Sequence, residues 1–155
     1  MIAFDIIDER LEMAKKLGAT HTFNIKDSID YIEKVNEITG GGVHYAIETS
    51  ACEENFNNSL KILRNAGTLV GIGAILRPFE FDYGTFNMKN LRMIATNTGE
   101  SSYTPCLNKL ISLYREGRYP FEQLNSYYKL DNINQAFEDF ANRKIIKPVI
   151  LLDEE

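Results

Sequence analysis

Short apolar runs and stretches of helical period alternate along this 155-residue chain, and that alternation restricts its fold more than any other feature. A strand, a helix and a further strand in succession pack as a parallel sheet with right-handed crossovers. The first run, "IAFDI" (residues 2–6), reads as a strand, and a helix over residues 8–17 follows at once. Leu11, Ala14 and Leu17 share one face of that helix, and Gly18 is placed to close it. "HTFNI" (residues 21–25) is a second strand. Asp27 or Ser28 caps the next helix, which runs through Ile38 with Ile29, Ile32 and Val35 on its apolar face. "TGGGV" breaks the chain before a third strand, "VHYAIET" (residues 43–49).

The pattern continues with a helix over residues 53–65 that buries Phe56, Leu60 and Leu63 and ends at "NAG". A fourth strand, "TLVGIG", covers residues 68–73, and a fifth, "RMIATNT", follows a longer connection at residues 92–98. Thr104 is expected to cap the next helix, with Pro105 in its first turn and Gly117 after its end. Beyond Gly117 the character changes to an extended "YPFEQLNSYYKL", an amphipathic "NINQAFEDFANRK" and a last strand, "IKPVILL", whose Pro148 suits a sheet edge. The expected division is therefore residues 1–118 and residues 119–155.

Several classes of function are disfavoured by composition. The net charge is −5, and Lys and Arg are scattered, which argues against a nucleic-acid partner. No apolar run reaches the roughly 18 residues that span a bilayer, and no basic-then-apolar leader opens the chain, so a cytoplasmic location and no membrane partner are expected. Cys52 and Cys106 stand alone and the histidines are His21 and His44, so neither a structural disulfide nor a metal site is expected. No Ser-His-Asp or Cys-His arrangement suggests a nucleophile. Glu48, an acid inside a strand, reads as a structural hydrogen-bonding group.

Asp5 poses the functional question. An acid at the end of a strand, just before a helix, is where a doubly wound α/β protein holds a nucleotide ribose, yet the same residue is also placed to cap the helix. The glycine-rich phosphate turn that belongs roughly 20 residues upstream of such an acid is not in this sequence. "GGG" at residues 40–42 does not replace it, since it follows a helix rather than opening one.

Four phrases in order and at matching spacing resolve the pattern further: "DIIDERLEMAKKLGATHTFNI", "ITGGGVHYAIETS", "LRNAGTLVGIG" and the tail from "YREGRYPFEQL" to "KPVIL". Together they resemble the medium-chain, zinc-dependent alcohol dehydrogenases, with aryl-alcohol (benzyl alcohol) dehydrogenases the nearest branch. The resemblance spans essentially the whole chain. It implies an incomplete Rossmann-type doubly wound parallel sheet missing its first strand, followed by a tail that belongs to an absent catalytic domain. In the parent enzyme it implies hydride transfer between an aryl or primary alcohol and NAD, with zinc held elsewhere.

The same resemblance implies cofactor-binding positions. Asp5 corresponds to the acid that accepts the adenosine ribose hydroxyls and disfavours the 2′-phosphate of NADP. Arg10 lies over the same ribose, Thr49 and Ser50 beside the adenosine half, and Val70, Gly71 and Ile72 beside the nicotinamide. Thr96, Asn97 and Thr98 meet the carboxamide, and Lys147 approaches the pyrophosphate. His44 replaces an acid and is read as a residue near a turn. The isolated chain is expected to be inactive and to bind NAD weakly, with no catalytic or metal-binding residue of its own. Two apolar strand edges, at residues 2–6 and 43–49, are expected either to pair with each other or to drive homo-oligomer formation, to which the tail also contributes. Two alternatives stay open: a non-catalytic remnant or oligomerisation module, and part of a zinc-free quinone or enoyl reductase of the same superfamily.

Overall fold

Strand β1 (Ile2–Asp5) stops where Asp5 turns the chain. One carboxylate oxygen, Oδ1, accepts the amide hydrogens of Ile6 (2.7 Å) and Ile7 (3.1 Å). In this computed structural model, which describes residues 1–26, 30–96 and 102–152, helix α1 (Asp8–Lys16) begins straight after that turn. Asp8 and Glu9 in its first turn and Lys15 and Lys16 in its last complement the helix dipole. Leu11 is its buried residue, and Gly18 beyond it adopts φ +106°, a left-handed conformation that favours glycine. Strand β2 (His21–Asn24) then pairs parallel to β1, from Ile2 opposite His21 to Asp5 opposite Asn24.

Helix α2 (Tyr31–Thr39) buries Tyr31 and Val35 and ends at Gly40 in the left-handed region. The expected cap, Asp27 or Ser28, and the expected apolar Ile29 lie outside the described residues. Strand β3 (Val43–Glu48), helix α3 (Glu53–Ile62), strand β4 (Leu63–Gly71), helix α4 (Tyr83–Met88) and strand β5 (Arg92–Ala95) complete the first unit. The sheets among the described residues of this unit are a β1–β2 pair and a β3–β4–β5 triplet, parallel throughout. Direct pairing of β1 with β3, one of the two expected remedies for their open edges, is not formed: among the described residues β1 pairs only with β2, and β3 only with β4.

Tertiary pairing moves several expected boundaries. Helix α3 ends at Ile62 rather than at residue 65, because Leu63 is drawn into register with Val43 before the ladder shifts and resumes at Tyr45 and Thr68. Ala66, at φ +60°, takes up the extra residues. Gly67 has no room for a side chain, since a Cβ there would lie 2.9 Å from the Arg64 carbonyl oxygen and from Leu63 Cδ2. Strand β5 stops at Ala95, although the Thr96 amide still donates to the Gly71 carbonyl (3.1 Å). The short α4 was not anticipated inside the long connection. Asp82 caps it, accepting the Thr85 amide (2.9 Å) and hydroxyl (2.7 Å).

Val35, Leu60, Leu63 and Leu69 are the largest fully buried side chains and form the centre of the first unit with Ala46, Phe56 and Ile62. Phe4 stacks on Phe23 (centroids 5.8 Å apart) and tilts against Tyr31 (5.5 Å), which ties the β1–β2 pair to that centre. Phe56 meets Phe79 edge-on at 5.1 Å, and this fastens the long connection over α3.

The chain divides into two compact units, Met1–Glu100 and Ser101–Glu155. In the second, α5 (Tyr103–Arg115) starts one residue before Thr104, so Ser102 rather than Thr104 occupies the N-cap position. Pro105 still lies within the first turn, where its missing amide hydrogen costs no helical bond. A 3-10 turn at Phe121–Leu124 leads into β6 (Asn125–Lys129), which pairs parallel to β7 (Lys147–Leu151) across α6 (Ile133–Ala141). Pro148 sits in this two-stranded sheet, where an edge position is open to it. No helix of the described residues is long and apolar enough to cross a membrane.

Candidate cofactor site

The carboxyl ends of parallel strands, where side chains and backbone groups meet loops, are the usual ligand face of a doubly wound sheet. Asp5 closes β1 on that face. The helix α1 has Ile7 at its N-cap position and no side-chain cap, so Asp5 is not its capping residue. With Oδ1 held by two backbone amides, Asp5 Oδ2 points its charge toward Arg10, whose guanidinium lies 3.9 Å away, and both side chains are about 30% exposed. The acid is thus fixed in orientation and partly open to solvent.

At the end of β3, Glu48 organises the loop. Glu48 is 4% exposed. Its Oε1 accepts the Ser50 amide (2.7 Å) and the Ser50 hydroxyl, and its Oε2 accepts the Ala51 amide (3.3 Å). Its carbonyl oxygen accepts the amides of Ile72 (2.8 Å) and Gly73 (3.1 Å), which joins the ends of β3 and β4. Gly73 is required here because a Cβ would fall 2.4 Å from the Ala51 amide nitrogen. Ser50 Oγ also accepts from the Cys52 amide (3.2 Å) and Asn55 Nδ2 (3.0 Å). Thr49 and Ser50 remain exposed, in a loop whose Ser50, Ala51 and Cys52 amides are hydrogen-bonded to side chains.

Beside this loop a cavity of about 270 Å³ opens among Phe4, Tyr31, Glu48, Ser50, Asn55 and Asn58. Burial pushes the Tyr31 hydroxyl to a higher pKa than an ordinary tyrosine, partly offset by its hydrogen bond with Asn58. Val70 lies within β4, between Ile47 and Ile94, while Gly71 is flanked by Glu48 and Ala95. Ile72 follows and is 53% exposed. Thr96 completes the row, and its Oγ1 is buried with no hydrogen-bond partner among the described residues. Such a group calls for a polar partner.

Asp5, Thr49, Ser50, Val70, Gly71, Ile72 and Thr96 therefore fall in the first unit at or near strand ends, and Arg10 lies in α1 beside Asp5. Asn97 and Thr98 lie outside the described residues. Lys147 opens β7 in the second unit and is exposed. Sequence reasoning passed over Asn55 and Asn58, whose only signal was an amide-rich first half of α3. His44 stands near the "GGG" turn, with its Nε2 2.7 Å from Arg64 Nη1. Among the described residues no group of three or more His, Cys, Asp or Glu side chains is arranged to hold a metal ion.

Comparison with known proteins decides the family. The model of the zinc-binding dehydrogenases matches residues 1–113. The chain belongs to that family. It is 30% identical over 154 residues to an alcohol dehydrogenase of Cupriavidus necator, covering 93% of this chain and 40% of that protein. An alcohol dehydrogenase of Moraxella sp. is 42% identical over 151 residues, covering 96% of this chain and 42% of the relative. Among solved structures, the benzyl alcohol dehydrogenase of Acinetobacter calcoaceticus superposes with a TM-score of 0.92 at 34% identity, covering 98% of this chain and 42% of that one. The chain thus spans about two fifths of these relatives, in their C-terminal part. The Rossmann-type parallel α/β arrangement of this medium-chain oxidoreductase family agrees with the fold expected from the strand and helix order.

Proposed function

We propose that this zinc-binding dehydrogenase chain supplies the adenosine-facing and nicotinamide-facing strand ends of an NAD platform, within an enzyme that exchanges hydride between an aryl or primary alcohol and the cofactor. The observation that carries the reading is Asp5: a carboxylate fixed by two amides at the end of a parallel strand, with Arg10 beside it. Its second oxygen is positioned to accept ribose hydroxyls, and its charge would repel a 2′-phosphate. The buried Thr96 hydroxyl, without a partner among the described residues, fits an amide donor or acceptor such as a carboxamide. Gly71, at the end of β4 with nothing closer than 3.9 Å to its absent Cβ, leaves room for a flat ring to approach the backbone.

NAD, when bound, accepts the hydride; the residues of this chain bind and orient it. Asp5 and Arg10 hold the ribose end, Thr49 and Ser50 flank the adenosine, and Val70, Gly71, Ile72 and Thr96 line the nicotinamide end. Asn97, Thr98 and Lys147 belong to the same proposal through the family resemblance. No step is assigned to a metal on this chain, since its described side chains form no metal-binding group. In the family that role falls to residues of the full-length enzyme. The chain alone therefore neither oxidises alcohols nor holds NAD tightly. Copies of it associate through the unpaired edges of β1 and β3, or through the tail.

Calorimetric titration of the chain with NAD and NADP tests the reading. Weak NAD binding that Asp5→Ala abolishes, with NADP weaker still, is the expected result. Submicromolar NAD affinity, or zinc-stimulated benzyl alcohol oxidation by this chain alone, would refute the claim that it is only part of the platform. NAD binding unchanged by Asp5→Ala would remove the ribose assignment.

A further inference from the structure

We propose that the turn between α2 and β3, together with Arg64 at the start of β4, forms a site for a phosphate group, carried by the free ion or by a small phosphorylated metabolite. The site lies at the amino ends of β3 and β4, opposite the strand ends assigned to the cofactor, so the inference does not rest on that reading. Its frame is fixed by short contacts. The Thr39 hydroxyl donates to the Val35 carbonyl (2.6 Å) and accepts the Gly42 amide (2.9 Å), which ties the turn to the end of α2. Gly42, at φ +112°, lies against the junction of α3 and β4, where a Cβ would fall 2.5 Å from the Arg64 amide nitrogen. Beside this contact His44 and Arg64 meet, with Arg64 Nη1 2.7 Å from His44 Nε2.

A cavity of about 260 Å³ opens here, bordered by Thr39, the three glycines of the turn, His44, Arg64 and Asn65, and by no acid. A guanidinium can only donate, so His44 Nε2 is the acceptor and the ring carries its proton on Nδ1. The other N–H groups of Arg64 are not committed to an acid, since no carboxylate pairs with it among the described residues. Nor do the two nearby helix ends need it. The last carbonyls of α2 are taken by the Gly40 (3.4 Å) and Gly41 (2.9 Å) amides and the Thr39 hydroxyl, and those of α3 by Lys89.

A cationic fork, an imidazole N–H and a carboxamide thus border one cavity without an acceptor of matching charge. The amides of Gly40, Gly41 and Gly42 are already bonded within the turn, so recognition falls to the side chains. Paired guanidinium N–H groups match two oxygens of a phosphate. A tetrahedral anion keeps further oxygens for donors that arrive from other directions, whereas a flat carboxylate would be spent on the fork. The glycines leave the cavity wall free of side chains on the turn side, which suits a compact, hydrated anion.

His21 and His44 are the only histidines of the 155-residue chain, so one proton–nitrogen spectrum of the imidazole rings reports the site and a control on β2 together. Sodium phosphate is added at pH 7, with ionic strength held constant by chloride. The His44 ring is expected to shift saturably with a Kd of about 1–10 mM, and the His21 ring to stay in place. Arg64→Gln, followed at the His44 ring, and His44→Asp, which gives Arg64 a carboxylate partner and is followed at the Arg64 Nε–H, should each weaken binding at least roughly tenfold. Unchanged amide signals from β5 in both variants separate lost binding from lost fold. Glycerol 3-phosphate, titrated in parallel, assigns the source: tighter binding than inorganic phosphate points to a phosphorylated metabolite, equal or weaker binding to the free ion. No saturation by about 100 mM phosphate overturns the proposal. So do equal shifts of both histidines, acetate binding as tightly as phosphate, or undiminished binding by Arg64→Gln.

Discussion

Glu48 shows how much a single buried acid determines. Its two oxygens accept three donors from the following loop, and its carbonyl accepts two more from the end of β4. Glu48→Gln exchanges one acceptor oxygen for an amide NH2 donor that faces another donor, which leaves a buried mismatch. The expected cost is about 1–3 kcal/mol, read as a lower urea midpoint with unchanged m-value. Lys89 carries a comparable burden at an unexpected place. Its ammonium donates to the carbonyls of Lys61 (2.6 Å), Leu63 (2.8 Å) and Leu60 (3.4 Å), where α3 ends, and burial lowers its pKa. Lys89→Met leaves these carbonyls without that donor and is expected to cost about 1–3 kcal/mol in the same experiment. Glu48 was readable as a structural acid because it stands inside a strand pattern. Lys89 was not readable, because its acceptors belong to the end of an element 26–29 residues earlier.

Elements whose form depends on local period were legible; those set by a partner were not. Helix α1 and strand β3 match their spacing, because an apolar face and a glycine stop are written within a dozen residues. The start of β4 follows from the pairing of Leu63 with Val43, a contact that no window of sequence reveals. Helix α4 was hidden by Gly84 and by its length of six residues, and it is held by the Asp82 cap. At the site, Asp5 was legible from its place between strand and helix, whereas the roles of Asn55 and Asn58 depend on which loop folds over α3. The Asp82 cap and Asp139, within α6, have a pH signature. Hydrogen bonds from the Thr85 amide and hydroxyl lower the Asp82 pKa, and those from Lys144 and then Tyr128 lower that of Asp139, which braces α6. The folded chain holds these protons less tightly than the unfolded chain. Their stabilisation is therefore present in full above the ordinary value of 3.8 and is lost as pH falls through the lower folded values. Unfolding followed by circular dichroism from pH 6 to pH 2 should show a shallower acid limb in the Asp82→Asn, Asp139→Asn double variant; an unchanged limb would assign acid sensitivity to other groups.

Across the first unit, stability is expected to be uneven, because its sheet is interrupted. The β3–β4–β5 side has Leu63 and Leu69 fully buried within a three-stranded ladder and α3 packed over it. The β1–β2 side is a ladder of four residue pairs, and a two-stranded sheet of that size is marginal without support from outside. Helix α1 supplies one buried side chain, Leu11. The pair also packs Ile2, Phe4, Phe23 and Ile25 against the core, with Phe4 stacked on Phe23 and tilted on Tyr31. Among the described residues no strand pairs with the other edge of β1. The β1–β2 half should therefore open locally without global unfolding, with its amides exchanging on the order of tenfold or more faster than those of β4. Phe4→Leu removes the ring contacts while keeping an apolar side chain, so it should widen this difference far more than it lowers the global unfolding midpoint. Equal exchange rates for β2 and β4 in the unliganded chain, or a Phe4→Leu effect that is the same in both, would mean that the two half-sheets fold and open as one unit despite the gap between them.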